Sequence, residues 1–220
     1  MRIEGISRKS IVQEIIDTVK KSIENRELQP GDPFPSENEM VQMLGVSKSS
    51  VREAVKVLEA MNVVEIKKGK GTFVRSSTPA QVINPLLFSL LLQQGPNDEI
   101  YELRRMFEPA YTLLAMQKAL PEDIEHIKQT LQVFKEAVDN GAQSVKMDVA
   151  FHKAILDATH NDFVIKIGEV ITQLFVASIG MNLSSDPKRS VEMHENIYRS
   201  LIMKDSERLL HWLELSFRLD

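Results

Sequence analysis

The sequence predicts a mostly helical protein with two parts, an N-terminal winged helix-turn-helix and a C-terminal all-α bundle of about seven helices. Residues 34–61 have the pattern of two short helices joined by a tight turn, and residues 63–74 have that of a β-hairpin. After residue 80, apolar residues recur at helical spacing without any alternating strand pattern. The predicted division is 1–76 for the winged helix-turn-helix, 77–84 for a linker and 85–220 for the helical domain.

Composition and charge exclude several classes of protein. Of the 220 residues, 43% are hydrophobic and 26% are charged, which is ordinary for a globular chain. No apolar run reaches the roughly 18 residues of a membrane helix, and cysteine is absent. We therefore expect a cytoplasmic protein with no membrane partner. The net charge of −4 argues against general coating of nucleic acid, but residues 1–75 hold 13 Lys and Arg against 11 Asp and Glu.

The first helix is predicted over residues 8–25. Its apolar stripe at helical spacing consists of Ile11, Ile15, Ile16, Val19 and Ile23. Two prolines and a glycine predict a loop over 25–33. Ser36 and Glu39 then have the spacing of a capping box, in which each side chain bonds the other residue's backbone N–H.

Residues 34–61 have the sequence form of a helix-turn-helix. Gly45 can take the positive φ that ends the first helix, and Ser47 can cap the second. A recognition helix reaches base edges from its first turn, although the same residues also occur as an ordinary cap and solvated face. The predicted inward residues are Met40, Met43 and Leu44, then Val51, Val55 and Leu58; the predicted outward residues are Ser47, Lys48, Ser49, Ser50, Arg52 and Lys56.

The next segment, residues 63–74, predicts a hairpin with a Lys-Gly-Lys-Gly turn. Lysines at a hairpin tip can simply protect a sheet edge. A basic hairpin directly after a helix-turn-helix is typical of a wing, whose tip contacts the DNA backbone or minor groove. The two features together predict a DNA-binding domain.

The remainder of the chain predicts consecutive helices, separated by proline, glycine and capping residues. Gly95-Pro96-Asn97 and Ser184 to Pro187 each mark an end and a new start, Pro121 suits a first helical turn, and Asn140-Gly141 suits a C-cap. The predicted helices are 82–94, 98–119, 121–139, 143–159, 161–183, 187–203 and 205–218. A bundle of this size can hold its own core and a pocket.

Three residues of the bundle are candidate metal ligands. Asp148 and His152 lie one helical turn apart, a spacing that suits two ligands of one metal but also a plain hydrogen bond or ion pair. His194 precedes Ile197 and Leu201 at inward spacing, so its position also suits an ordinary core histidine. These residue types leave both interpretations open.

Arg104 and Arg105 lie in a predicted helix with several apolar positions, so one of them should turn partly inward. A buried guanidinium needs a carboxylate or phosphate partner. The alternatives are an ion pair to Glu108 in the same helix and a clamp on an anionic ligand.

Several motifs resemble those of GntR-type bacterial transcription factors: Phe34-Pro-Ser-Glu37, Leu44-Gly-Val-Ser-Lys-Ser-Ser-Val-Arg-Glu-Ala54 and Gly69-Lys-Gly-Thr-Phe-Val74. The helical remainder resembles the ligand-sensing FCD domain of the FadR-like branch. The resemblance implies a homodimer that binds a short palindromic operator in double-stranded DNA. It also implies an effector in the helical domain that alters DNA affinity, more often relieving repression. From the division into two modules, we expect the effector to change how the two bundles sit and so the spacing of the recognition helices.

The resemblance assigns DNA contacts position by position. Asn38 stands where the family commonly has arginine, and Lys48 also replaces an arginine, which gives up bidentate guanine contact for a point charge. The operator sequence is therefore expected to differ. The implied contacts are Asn38, Ser47, Lys48, Ser49, Ser50, Arg52, Lys68 and Gly69.

The resemblance also implies a metal site and an effector residue. Asp148, His152 and His194 match the family's ligands, but its last histidine is replaced by Ser216, and His211 lies at a different angle on that helix. Three ligands with a water or effector oxygen would hold Zn²⁺ or Ni²⁺ less tightly. Arg104 matches the effector-side arginine, which favours a small carboxylate.

Two other functions remain as alternatives. One is a metal-free sensor with structural histidines and a pocket for a larger apolar acid. The other is a metal-dependent enzyme domain tethered to DNA, which we do not expect because the sequence places no spare acidic residue beside the three ligands as a general base. We therefore expect a regulator, and no enzyme.

Overall fold

The computed structural model describes residues 10–76, 85–92, 97–179 and 186–217. The chain forms two compact units, divided in sequence between Pro85 and Leu86. The predicted fold class, a winged helix-turn-helix followed by an all-α bundle, is confirmed. The predicted linker 77–84, the Gly95-Pro96 break and residues 184–185 lie outside the described residues.

The first unit contains three helices and a small antiparallel sheet with the strand order β1-β3-β2. In this sheet Phe34 pairs with Thr72, and Glu65 pairs with Phe73. Residues 25–33 were predicted as a loop, but Pro33 is the first residue of β1. Proline is tolerated there because β1 is an edge strand, where the missing N–H costs no hydrogen bond of the sheet. The elements are α1 (Ile11–Glu24), β1 (Pro33–Phe34), α2 (Glu37–Leu44), α3 (Lys48–Ala60), β2 (Val64–Lys67) and β3 (Gly71–Val74).

The predicted caps of the helix-turn-helix are present. Ser36 and Glu39 form the capping box of α2, with each side chain bonded to the other's backbone N–H. Gly45 ends α2 with φ of 66°. The Ser47 hydroxyl accepts from the Ser50 N–H at the start of α3. These local contacts set the turn that presents α3.

Most of the residues predicted to face inward lie in the core of the first unit, but the prediction for Met43 is wrong. Its side chain is 72% exposed, whereas Met40 is 4% exposed. The two-turn helix α2 packs Met40 fully and Leu44 partly against the core, and Met43 falls beside this row, toward solvent. The buried cluster consists of Ile15, Val19, Phe34, Met40, Val51, Ala54, Val55, Leu58, Val64 and Val74.

The second unit contains seven described helices, in agreement with the prediction. Pro121 lies in the first turn of α6, and Gly141 follows that helix with φ of 66°. Among the described residues, no helix is long and apolar enough to span a bilayer. The helices are α4 (Pro85–Leu92), α5 (Asn97–Lys118), α6 (Pro121–Asp139), α7 (Val145–Asp157), α8 (Asp162–Ile179), α9 (Pro187–Met203) and α10 (Ser206–Ser216).

Helix α8 comes unusually close to α7 and α5 at Gly168. A β-carbon at this position would lie 2.6 Å from Leu156 Cδ2 and 3.1 Å from Phe107 Cε1. Leu156 is itself buried in the main core of the unit. Only glycine therefore fits this contact without moving its neighbours. The close approach brings α8 to the side chains of α5 and α7 that form the candidate effector site.

Candidate DNA-binding surface and effector site

The exposed face of α3 carries a basic stripe. Lys48, Arg52 and Lys56 follow one another at intervals of four residues, and all three are exposed. Val51 and Val55 lie on the opposite face and are buried. The buried valines pack α3 against the core, and the basic residues face solvent.

Three serine hydroxyls lie together at the beginning of α3. Ser47 Oγ is 2.9 Å from Ser49 Oγ and 2.8 Å from Ser50 Oγ. All three serines precede or occupy the first helical turn, where backbone N–H groups and the helix dipole favour an anion. The predicted hydroxyl contacts thus form one group beside Lys48.

The first turn of α2 binds two of the basic residues of α3. Asn38 Oδ1 accepts from Lys48 Nζ at 2.9 Å. Glu37 Oε1 accepts from Arg52 Nε at 3.1 Å, and Glu37 Oε2 accepts from Arg52 Nη2 at 3.0 Å. Asn38, Lys48 and Arg52 were predicted as site residues, but Glu37 was missed. Its sequence context showed only a helix start.

The wing presents its predicted residues at the turn between β2 and β3. Lys68 and Gly69 are both exposed there, and Gly69 has φ of 75°. Lys67, just before the turn, is bound to Glu65 at 2.7 Å and lies over the Phe73 ring at 4.9 Å. The turn residues are therefore the more available part of the wing.

The three candidate metal ligands converge within the second unit. His152 Nε2 lies 3.1 Å from His194 Nε2, and His194 Nε2 lies 3.5 Å from Asp148 Oδ1. One ligand atom from each of the three residues lies within 4.8 Å of the others. Helix α7 supplies Asp148 and His152, and α9 supplies His194. The packing of α7 and α9 in the bundle therefore brings His194 to Asp148 and His152.

Glu108 of α5 connects this cluster to Arg104. One carboxylate oxygen lies 2.6 Å from His152 Nδ1, and the other accepts from Arg104 Nε at 2.7 Å. Glu108 is only 3% exposed. The sequence predicts Glu108 only as a partner of Arg104, because the His152 contact joins different helices and has no spacing signal.

Charge and burial together shift the pKa values of this group. Burial raises the pKa of Glu108, but the charges and hydrogen bonds of Arg104 and His152 outweigh it and hold that pKa well below its usual range. Burial lowers the pKa of His152, yet the Glu108 carboxylate raises it overall. Burial, followed by the neighbouring His152, places the pKa of His194 well below the ordinary value.

These features fit the chemistry of a divalent metal site. The Glu108 carboxylate engages Nδ1 of His152 and leaves Nε2 for a ligand, as carboxylates do behind metal-binding histidines. His194 stacks on the Phe151 ring at 4.4 Å, which fixes its plane. The buried His194 Nδ1 has no hydrogen-bond partner among the described residues. Two imidazole nitrogens and a carboxylate thus converge in an orientation fixed by their neighbours.

The position of the expected fourth ligand does not join the cluster. Among the described residues, Asp148, His152 and His194 are the group that could hold an ion. The Ser216 hydroxyl donates to the Leu213 carbonyl within α10. The His211 ring lies against Trp212, with the centroids 5.6 Å apart.

Arg104 forms the ion pair with Glu108, which is one of the two alternatives drawn from the sequence. It is the inward member of its pair, and its guanidinium bonds Glu108 and lies 4.2 Å from the centre of the Phe175 ring. Arg105 instead forms an exposed ion pair with Glu214. Arg104 also lines the cavity described next, so the pair with Glu108 leaves it adjacent to that space.

A small cavity lies next to the cluster. Its volume is about 30 Å³, room for one or two waters and far below the several hundred cubic ångströms of a typical organic-ligand pocket. Polar and apolar groups share its wall. The lining residues are Arg104, Phe107, Glu108, Tyr111, Asp148, Val149, His152, Gly168, Ile171, Thr172 and Phe175.

Comparison with known proteins assigns both parts of the chain. Residues 11–74 match the model of bacterial regulatory proteins of the gntR family, and residues 99–215 match the FCD domain. A solved structure of Streptococcus agalactiae GntR aligns with a TM-score of 0.67 at 23% identity, covering 94% of this chain and 97% of that one, and supports the fold.

Three named regulators are similar to this protein over most of its length. The HTH-type transcriptional regulator LutR of Bacillus subtilis is 30% identical over 81% of this chain and 85% of its own length. The Uxu operon regulator of Haemophilus influenzae is 32% identical over 82% and 64%. The HTH-type transcriptional repressor NanR of Cronobacter sakazakii is 26% identical over 79% and 68%. The chain therefore belongs to the gntR family of bacterial regulatory proteins, as a ligand-responsive DNA-binding transcriptional regulator whose C-terminal part is an FCD domain.

Proposed function

We propose that this regulator is a homodimeric repressor that leaves its operator when a small carboxylate binds in the FCD domain. The proposed division is 1–76 for DNA binding, 77–84 for the linker and 85–220 for effector binding. The name of the NanR relative, a repressor, supports the direction of regulation. We propose no catalytic activity, since the family regulates transcription.

The observation that carries the effector proposal is the cavity that Arg104 shares with the Asp148–His152 pair. A guanidinium and two candidate metal ligands that line the same cavity suit an anion with oxygen donors. We assign Asp148, His152 and His194 as ligands of a divalent ion, Zn²⁺ or Ni²⁺, which would supply a Lewis-acid anchor for a carboxylate oxygen. Glu108 keeps Arg104 and His152 oriented toward the same space.

The size of the cavity favours a small acid. About 30 Å³ accommodates a metal-bound oxygen and its immediate neighbours. A larger apolar acid would require side chains such as Phe107 and Phe175 to move apart, which costs packing energy. The metal-free sensor of a larger acid is therefore the second choice.

The DNA part of the proposal rests on the α3 face and the wing. A homodimer would place two recognition helices on the two halves of a palindrome, and a change in their spacing would change affinity. The proposed DNA-contacting residues are Asn38, Ser47, Lys48, Ser49, Ser50, Arg52, Lys68 and Gly69.

An operator-selection experiment tests the regulatory proposal. The purified protein would be used to enrich duplexes from a random library, and the enriched duplex should be palindromic. Small carboxylates would then be titrated into the complex, with and without Zn²⁺ or Ni²⁺. We expect at least one to weaken binding about tenfold or more, within the usual range of allosteric coupling. Unchanged affinity with every acid would contradict regulation by such an effector.

Metal analysis tests the ligand assignment. Wild-type protein would be loaded with Zn²⁺ or Ni²⁺, dialysed and compared with Asp148→Ala and His194→Ala. We expect one ion per chain in wild type and loss of the ion in both variants. Asp162→Ala, which removes an exposed carboxylate of α8, is the control. Equal metal content in all four proteins would end the metal assignment and favour the metal-free sensor.

A further inference from the structure

The basic stripe of α3 contains one acidic neighbour, Glu37, whose position suggests a role in DNA recognition. Glu37 belongs to the first turn of α2, but its carboxylate is bound to Arg52 in the middle of the stripe. The pKa of Glu37 is lowered chiefly by the Arg52 hydrogen bond, and the charges of Arg52, Lys48 and Lys56 lower it further. The carboxylate therefore lies in the field of all three basic residues.

The ion pair is too exposed to be important for folding. The Arg52 side chain is 57% exposed, and that of Glu37 is 33% exposed. Exposed ion pairs contribute little to stability because water and salt screen them. The helix start itself is held by a different carboxylate, Glu39, through the capping box. A carboxylate on this face needs another explanation.

The geometry of the pair leaves part of Arg52 available to DNA. Glu37 accepts from Nε and Nη2, the side edge of the guanidinium. The two hydrogens of Nη1 and the second hydrogen of Nη2 are not used in these bonds. A guanidinium can therefore hold a carboxylate along one edge while it donates to a phosphate or base along the other.

We propose that Glu37 is a positioning residue that increases the operator specificity of this protein. In a loose, non-specific complex the basic residues act mainly as charges, and Glu37 weakens binding by repelling phosphate. In the operator complex Arg52 must take one geometry, and Glu37 holds it there, so the repulsion is offset. Glu37 thus penalises wrong DNA more than correct DNA. This inference rests on the proposed contact of Arg52 with DNA.

The test compares operator and non-specific affinity in wild type and Glu37→Gln. Glutamine keeps the size of the side chain and one acceptor oxygen but removes the charge. We expect affinity for a scrambled duplex to rise about three- to tenfold, the effect of one charge at short range in water. Affinity for the selected operator should change less, so the ratio of the two affinities should fall at least about threefold.

Glu59→Gln is the matched control, because it removes the same charge from α3 outside the stripe. The ratio for this variant should equal that of wild type, and thermal unfolding should confirm that both variants fold. A ratio that stays constant or rises in Glu37→Gln would overturn the proposal. Arg52→Ala distinguishes failure of the Glu37 proposal from failure of the proposed Arg52 contact: if it leaves operator affinity unchanged, the contact of Arg52 with DNA is wrong.

Discussion

Glu108 is the residue on which the geometry of the candidate effector site depends most. Its two carboxylate oxygens hold Arg104 and His152 at 2.7 and 2.6 Å. A buried carboxylate between two cationic partners is stable only because both partners compensate for its lost hydration. Removing its charge should therefore affect folding as well as the site.

Replacement of Glu108 by glutamine should lower the free energy of unfolding. The change removes the buried negative charge that lies between Arg104 and His152, and breaking a buried ion pair costs about 3 kcal/mol or more. Urea denaturation at pH 7 measures this difference. Glu214→Gln is the control, because it breaks the exposed ion pair of the adjacent Arg105 and should change stability little. Equal effects of the two changes would contradict the importance of burial.

The same variant should show a smaller deficit in acid. The folded pKa of Glu108 lies below the unfolded value of about 4.3. Its contribution is therefore fully present above pH of about 4.3 and is lost as the pH falls toward the folded pKa. Because Glu108 also raises the pKa of His152, the stability difference between wild type and Glu108→Gln should grow as the pH falls from 7 to 5, and it should shrink below pH of about 4. Denaturation at several pH values measures it.

Helix α8 shows how one small residue sets the spacing of an element. Gly168 allows α8 to contact Leu156 of α7 and Phe107 of α5 at the cavity. Helix propensity alone would favour alanine at this position by about 1 kcal/mol. An added β-carbon would lie only 2.6 Å from Leu156 Cδ2, so alanine at this position should lower stability instead of raising it.

Gly168→Ala should destabilise the protein, because overpacking a buried contact costs about 1–3 kcal/mol and exceeds the gain in propensity. Thermal unfolding would be compared with Lys166→Ala, an exposed change on the same helix. In a Leu156→Ala background only the 3.1 Å contact with Phe107 Cε1 remains, so the alanine at position 168 should destabilise the protein much less there. A higher melting temperature for the single variant Gly168→Ala than for wild type would show that the contact with Leu156 is not tight.

In the wing, the effect of a lysine substitution on DNA affinity should depend on charge alone. Lys68 lies at the exposed turn, whereas Lys67 is occupied by Glu65 and Phe73. Lys68→Ala should weaken binding to operator and scrambled duplexes equally and reduce the slope of log affinity against log salt by about 0.9. Lys67→Ala is the control and should have the smaller effect. A change of base preference in Lys68→Ala would instead assign it to base readout.

At the scale of the whole molecule, each unit has its own hydrophobic core. Phe34 and Leu58 belong to the core of the first unit, and Phe151 and Ile197 belong to that of the second. A ligand stabilises the structure that binds it. Ligands of different units should therefore act on different parts of the unfolding profile.

Calorimetry of the full chain tests this expectation. Zn²⁺ or Ni²⁺ should raise the transition of larger enthalpy, since enthalpy scales with residue number and the second unit is longer. The selected operator should raise the smaller transition. In Asp148→Ala the shift with metal should disappear and the shift with operator should remain. Equal displacement of all transitions by metal would show that the two units unfold together.

The sequence by itself determined the secondary structure and the family. Capping residues, prolines, glycines and apolar spacing act over one to four residues, so Ser36, Gly45 and Pro121 could be interpreted without a fold. The boundaries of most helices followed from them. The predictions of an inward Met43 and of a loop at Pro33 were wrong, because burial and strand pairing depend on neighbours that are distant in sequence.

The tertiary structure decided which polar groups share a partner. Spacing related Arg104 to Glu108 and Asp148 to His152, each within one helix. Only packing of α5, α7 and α9 brought Glu108 to His152, and only the turn between α2 and α3 brought Glu37 to Arg52. Contacts between elements have no periodic signal in the sequence, because their distance along the chain is set by how the helices pack and by the lengths of the loops.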